Sequence, residues 1–213
     1  MNAEAPDMST FTTGTSLQGI WDYIEKGQTD LLVATVKNDP SQLRYKIGHA
    51  EDTPLHVIAQ QGDKEMMEEV LKAIKEVAPE QIDIRNKTGN TPLMTAGANG
   101  REENAKLLMK GGADVNAQNN QGENLLMKTI KGRNQDDVRE SEKTAFDNII
   151  SYAVDKRGAK IDLPMHSGNT AIDMADLFED DKTMSYLEAK LVEQKAAKPA
   201  PATARAAPVS KFS

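Results

Sequence analysis

The sequence predicts an all-α solenoid of stacked helix–turn–helix units, and three observations carry that expectation. A short stretch, DTPLHVIAQQG at 52–62, returns as NTPLMTAGANG at 90–100, ENLLMKTIKG at 123–132 and NTAIDMADLFE at 169–179. Its anchors Thr53, Thr91, Asn124 and Thr170 stand 38, 33 and 46 residues apart, the range of helical repeat arrays. Aromatic residues make up only 4% of the chain and apolar ones 38%, so the core must be built from Leu, Ile, Val, Ala and Met. That suits thin helical layers.

Each unit begins where Thr53 or Thr91 caps a helix and Pro54 or Pro92 follows at a position whose N–H is not needed. Small residues such as Ala59 and Ala96 let neighbouring first helices approach closely. Gly62 and Gly100 break the chain between antiparallel helices. The second helices carry the apolar pairs Val70/Leu71, Leu107/Leu108 and Ile149/Ile150. Gly112 and Gly158 end the later two, and Ile82, Val115 and Ile161 anchor the turn to the next unit. Ahead of the first full copy, Leu17, Ile20, Trp21 and Ile24 form one apolar stripe. Leu31, Leu32 and Val36 form a second, with Gly27 between the two. Trp21 is expected in the core.

These units resemble ankyrin repeats, whose pattern of about 33 residues opens on Thr-Pro-Leu-His-x-Ala. TPL…G…LL…GADVNA over 91–117 carries most of the resemblance. With the weaker copies it spans roughly residues 16–194, as a cap at about 16–48, repeats at about 49–86, 87–119 and 120–165, and a closing cap at 166–194. The family implies β-turn or hairpin tips projecting between units. It also makes His56 a helix-start residue bonded to neighbouring backbone rather than a catalytic group. The closing cap departs from the pattern, with Asp173 in place of His and Glu179 in place of Gly, as a water-facing terminal repeat should.

Two spacings exceed 33. The first excess of 5, near KEVAP, lengthens the second helix of the first full repeat. The second, of 13, lies between Gly132 and Gly158. It is expected to give a short loop from Gly132 and an extended second helix with Asp136 and Asp137 in its first turn, where acids are favourable. Arg133–Lys143 is then either drift on an exposed edge or a charged secondary contact surface.

The net charge is −7, but residues 195–213 carry Lys195, Lys198, Arg205 and Lys211 with no acid. Residues 1–194 therefore hold 22 basic and 33 acidic groups, a net of −11, which repels phosphate backbones and argues against nucleic acid as partner. The Ala/Pro-rich tail 195–213 is expected to be disordered, as is 1–15. It would serve as a spacer, a docking segment or a recognition signal. The N-terminal MNAEAPDMSTFTTGTS has neither a basic start nor an apolar core, so no secretory signal is expected. No apolar run is long enough for a membrane span.

Catalytic chemistry has no foothold in the motifs. The chain has no cysteine, no Gly-rich phosphate loop, no G-x-S-x-G and no H-E-x-x-H. Its histidines, His49, His56 and His166, lack partners at metal-ligand spacing. No enzyme, cofactor or metal is expected.

Instead, the resemblance implies binding of another protein by a monomeric array, through the concave face and the turn tips. Carried onto this chain, the contact positions are Asp52, Gln60 and Gln61 in the first full repeat. The second offers Lys87, Thr88, Asn90, Ala98 and Asn99, and the third Asn120, Gln121, Glu123 and Lys131. The closing cap offers His166, Ser167 and Asn169. Leu177 and Phe178, apolar where water is expected, are either a hot spot or packed under the closing helix or the tail. Asn116, in DVNA eight residues after Leu108, is either a hairpin residue or, by the resemblance, a substrate of Asn hydroxylases. The expected function is that of a cytoplasmic adaptor or scaffold. The alternatives are a bacterial effector acting in a host cytosol and an inhibitor that covers a partner's active site.

Overall fold

The computed structural model describes residues 17–61 and 63–197. Its described residues hold ten α-helices, two short 3₁₀ turns and no strand. The helices are α1 (Leu17–Glu25), α2 (Thr29–Asn38), α3 (Pro54–Gln61), α4 (Lys64–Val77) and α5 (Pro92–Ala98). They continue with α6 (Glu102–Gly111), α7 (Leu125–Arg133), α8 (Glu140–Arg157), α9 (Ala171–Leu177) and α10 (Asp181–Ala197). The 3₁₀ turns, Pro40–Arg44 and Pro79–Asp83, follow α2 and α4.

The helices form two layers. The odd-numbered helices α1, α3, α5, α7 and α9 stack each on the next, and α2, α4, α6 and α8 stack behind them. The core runs between the layers through Ile20, Leu32, Leu55, Ile58, Met67, Leu93, Leu108, Ile130, Ile149 and Leu187, all buried. Trp21 packs against it from a half-buried position. Close approach in the inner layer depends on small residues. A Cβ on Gly97 of α5 would come within 2.7 Å of Leu125 on α7.

Local signals act as the sequence predicts. Thr91, Asn124 and Thr170 accept from the backbone N–H three residues on and cap α5, α7 and α9. Asp63, which the sequence reading passed over, caps α4 in the same way. His56 is fully buried. Its Nε2 lies 2.8 Å from the carbonyl oxygen of Asn90 in the next repeat, and its Nδ1 2.8 Å from Thr53 Oγ1. Only an Nε2–H tautomer satisfies both, and burial holds the imidazole pKa below its ordinary value, with the Asn90 bond and Asp52 opposing. α4 has 14 residues against 10 in α6, which accounts for most of the extra length near KEVAP. Gly62, residues 1–16 and the tail from 198 lie outside the described residues. α10 continues to Ala197, past the expected end of the array at 194.

The long insert departs from expectation. Gly132 is not the break: α7 runs on to Arg133, and the chain turns at Asn134. Gly132 sits inside the helix because a Cβ there would overlap the carbonyl oxygen of Ala98. Asp136 and Asp137 lie in the connecting loop, and the acids of the first turn of α8 are Glu140 and Glu142. Phe146 rests against Gly100, where a Cβ would meet its ring at 2.7 Å. Arg133, expected on an exposed charged surface, is 4% exposed. Its guanidinium holds Asp147 of α8 at 2.7 Å and Asp180, just before α10, at 2.8 Å. Asp180 also accepts from Thr183 N and Asn134 Nδ2. One buried cation thus ties the closing helix pair to the repeat before it. Leu177, expected under the closing helix or tail, is 69% exposed, whereas Phe178 packs on the core.

Among the described residues two non-glycine residues have positive φ, Glu51 at 52° and Glu179 at 54°. Both stand where other repeats place Gly at a tip or between helices. Glu179→Gly removes a left-handed penalty and should stabilise the protein by about 0.5–1 kcal/mol, net of the entropic cost of Gly, seen as a higher melting temperature. Burial raises the Asp180 pKa, but its bonds to Thr183 and Asn134 and the charge of Arg133 outweigh this and leave it lowered. Its stabilisation is therefore complete above the unfolded-state value of about 3.9 and is lost as pH falls through the lower folded value. Asp180→Asn should be less stable near neutral pH and show a flatter acid limb in urea titrations.

Candidate interaction surface

The tips between units are built from one five-residue turn. Asn86 N donates to Asn90 O at 3.1 Å, Asn119 N to Glu123 O at 2.9 Å and Met165 N to Asn169 O at 2.8 Å. The fourth residue of each is a glycine with φ between 78° and 94°. In the first two the leading Asn folds its side chain back. Asn86 Oδ1 accepts from Thr88 N and Asn90 N, and Asn119 Oδ1 from Gln121 N and Glu123 N. An Asn side chain does this because its amide mimics a backbone turn. The tip before α3 is closed by a single bridge, Ile47 to Asp52, so the tips are turns rather than full hairpins.

Successive tips are joined. Lys87 N donates to Ala50 O at 2.9 Å, Asn120 N to Thr88 O at 3.0 Å and His166 N to Gln121 O at 3.0 Å. Side chains repeat the linkage: Asn86 Nδ2 reaches Asp52 Oδ1 at 2.7 Å, and Asn119 Nδ2 reaches Asn90 Oδ1 at 2.8 Å. A second line of stitches runs beneath. Arg85 Nη1 bonds Gly89 O and Gln118 O, and Gln118 Nε2 bonds Gly122 O and Pro164 O. Pro164 has no donor with which to continue it. Below the tips, Asp114 N donates to Asp83 and Lys160 N to Asn116 Oδ1 at 2.8 Å. Asn116 therefore holds the next connecting segment.

The ladder repeats at the sequence period, in residues spaced as the tips are. Residues 23–119 match the family model of ankyrin repeats, in 3 copies. The chain carries ankyrin repeats over these residues. Beyond the matched residues, the tips at 119–123 and 165–169 keep the same turn and tip-to-tip bonds.

On this ankyrin array the expected contact residues fall into three groups. Gln60, Gln61, Lys87, Thr88, Asn99, Asn120, Gln121, His166, Ser167 and Asn169 are exposed. Asp52 and Asn90 are half-buried, because their side chains serve the ladder. Glu123 is the exception. It is 1% exposed, held by Asn119 Nδ2 at 2.9 Å and covered by Lys131, whose Nζ is 2.6 Å away, and so cannot be an outward contact. Burial opposes its ionisation, but bonds from Lys131 and Asn119 and the charge of Lys128 outweigh that and lower its pKa. Lys131, half-buried, lies in register with Gln60 and Ala98. Among the described residues no helix is long and apolar enough to cross a membrane.

Sequence reasoning missed Arg85, Asn86, Gln118 and Asn119, although Arg85/Asn86 and Gln118/Asn119 recur 33 apart, each Asn three residues before a Gly. Asn119→Ala strips a buried residue of four bonds and leaves donors unpaired. It should cost about 2–3 kcal/mol in urea denaturation, while Asn99→Ala, exposed and bonded only within its own helix, should change stability by less than about 0.5 kcal/mol.

Proposed function

We propose that the chain is a non-catalytic protein-interaction module, an adaptor or scaffold. On this reading the array covers roughly residues 16–194, and the partner lies along the concave face and the turn tips. The observation that carries this reading is the pairing of exposed polar side chains with a fixed backbone. Lys87, Thr88, Asn120, Gln121, His166 and Ser167 all point to water, while bonds to the neighbouring tip hold the main chain beneath them. A rigid platform loses little entropy on binding, so its polar groups yield more net affinity than the same groups on a free loop. Ankyrin repeats serve generally as protein-binding units, which agrees with this arrangement.

The test is affinity capture with the full chain, followed by measured affinity for the partner recovered. A Lys87→Ala/Gln121→Ala/His166→Ala variant changes only side chains outside the ladder and should melt within a few degrees of the native chain. It should bind the partner about tenfold or more weakly. Undiminished binding, combined with loss on charge reversal at the outer-layer residues Lys72 and Glu103, would move the interface to the convex side and overturn the reading.

A further inference from the structure

We propose that the partner segment bound in the concave groove carries an acidic side chain beside a bulky apolar one. The carboxylate sits over Lys128 and Lys131 and the apolar group against Leu177. The inference rests on the concave-face reading above and gives that partner a chemistry.

Repeat register sets the inner-layer residues in columns along the groove. Val57, Thr95 and Lys128 form one, which ends at Met174, buried in the core, and Gln60, Ala98, Lys131 and Leu177 form the next. Charge enters these columns only in the third repeat. There two ammonium groups share one buried carboxylate, with Lys131 Nζ 2.6 Å from Glu123 Oε1 and Lys128 Nζ 3.8 Å from Oε2. Asn119 Nδ2 occupies Oε2 as well, at 2.9 Å. Glu123 lies beneath the two lysines and is 1% exposed, whereas the Lys131 side chain is 41% exposed. The pair therefore presents one uncompensated positive charge outward, and Lys87 adds another on the neighbouring tip.

The acids of the adjoining helix do not cancel this charge. Asp173 is engaged with Thr170 N and Oγ1 at 2.7 Å each. Asp176 lies in register with Gly97 and Ile130, which face along the stack rather than into the groove. A positive spot within residues 1–194, which sum to −11, selects a carboxylate and steers it inward, since like charge around it repels a misplaced one. Directly along the column from Lys131, on the helix packed against α7, Leu177 is 69% exposed. A partner that met only the lysines would leave this apolar surface wet. An acidic residue followed closely by Leu, Ile or Phe satisfies both.

The experiment is selection of a random dodecapeptide phage library on the full chain, with affinities of the enriched peptides measured by fluorescence polarisation. Enriched peptides should share an Asp or Glu next to a large apolar residue. Lys128→Gln/Lys131→Gln removes both positive charges while leaving polar side chains, and should bind those peptides about tenfold more weakly with less salt dependence. Leu177→Ser alters an exposed residue and should retain the acidic preference while losing the apolar one. The inference is overturned if selection enriches no peptides, if enriched peptides lack acid, or if acidic peptides bind the double variant as well as the native chain. Acid-free peptides that are still lost on changing Lys87, Gln121 and His166 would defeat this inference and leave the concave-face reading standing. Peptides indifferent to both sets of changes would defeat both.

Discussion

Each tip puts one backbone N–H where only the preceding tip offers a carbonyl: Lys87 to Ala50, Asn120 to Thr88, His166 to Gln121. This bond fixes the spacing between repeats, and the rest of the fold depends on that spacing. The inner helices must then approach closely enough that Gly97 tolerates no Cβ against Leu125. His56 must reach Asn90 across the gap. The outer helices, set further back, have room to differ in length. That explains why the inserts of 5 and 13 residues fall mainly in the outer helices and the loop before α8, and not in the tips. A longer outer helix adds exposed turns at little cost to its neighbours, whereas one extra tip residue would shift every bond in the ladder.

The fold was legible in the sequence because its signals are local and repeated. Thr-Pro at helix starts, Gly at breaks and paired apolar residues recur at a measurable period, and each acts within a few residues of itself. The contact surface was less legible. Position in a repeat says which way the Cβ points, but not whether a neighbour pulls the side chain back. Glu123 occupies an outward-facing slot, yet the Asn119 amide lies inside it and the Lys128 and Lys131 side chains cover it, so the carboxylate is held in. Arg133 failed for the opposite reason. A charged run looks solvated, but Asp147 and Asp180 come from segments 14 and 47 residues away, and no local pattern announces them. Gly132 looked like a chain break because Gly breaks the other units. Here it is required by a helix crossing.

The way the array stops shows how repeat identity is edited. Asp173 and Asp176 occupy the slots that Met94 or Met127 and Gly97 or Ile130 fill in the inner repeats, where all four are buried. An inner helix stacked beyond α9 would have to bury two carboxylates, at a cost of several kcal/mol each. Polar replacement at these slots therefore caps the stack without altering the helix that carries them.

A capped end loses one neighbour and the stability that comes with it, since such arrays are held together by nearest-neighbour contacts. The Arg133 clasp sits where this deficit falls. It joins α7, α8 and the start of α10 through two carboxylates, and α10 adds Lys182 to Asp147 at 2.6 Å and Lys190 to Asp155 at 3.2 Å. A cleft of about 190 Å³ remains between α8 and α10, and polar contacts bridge the gap. Such bonding is directional and fixes one arrangement of the last helix pair, where loose apolar contact would allow several. The long insert begins immediately after Arg133 and extends the helix that carries Asp147. Its physical effect is thus to bring the terminal repeat into a defined position, which in turn fixes the last tip and the exposed Leu177 at the end of the concave face.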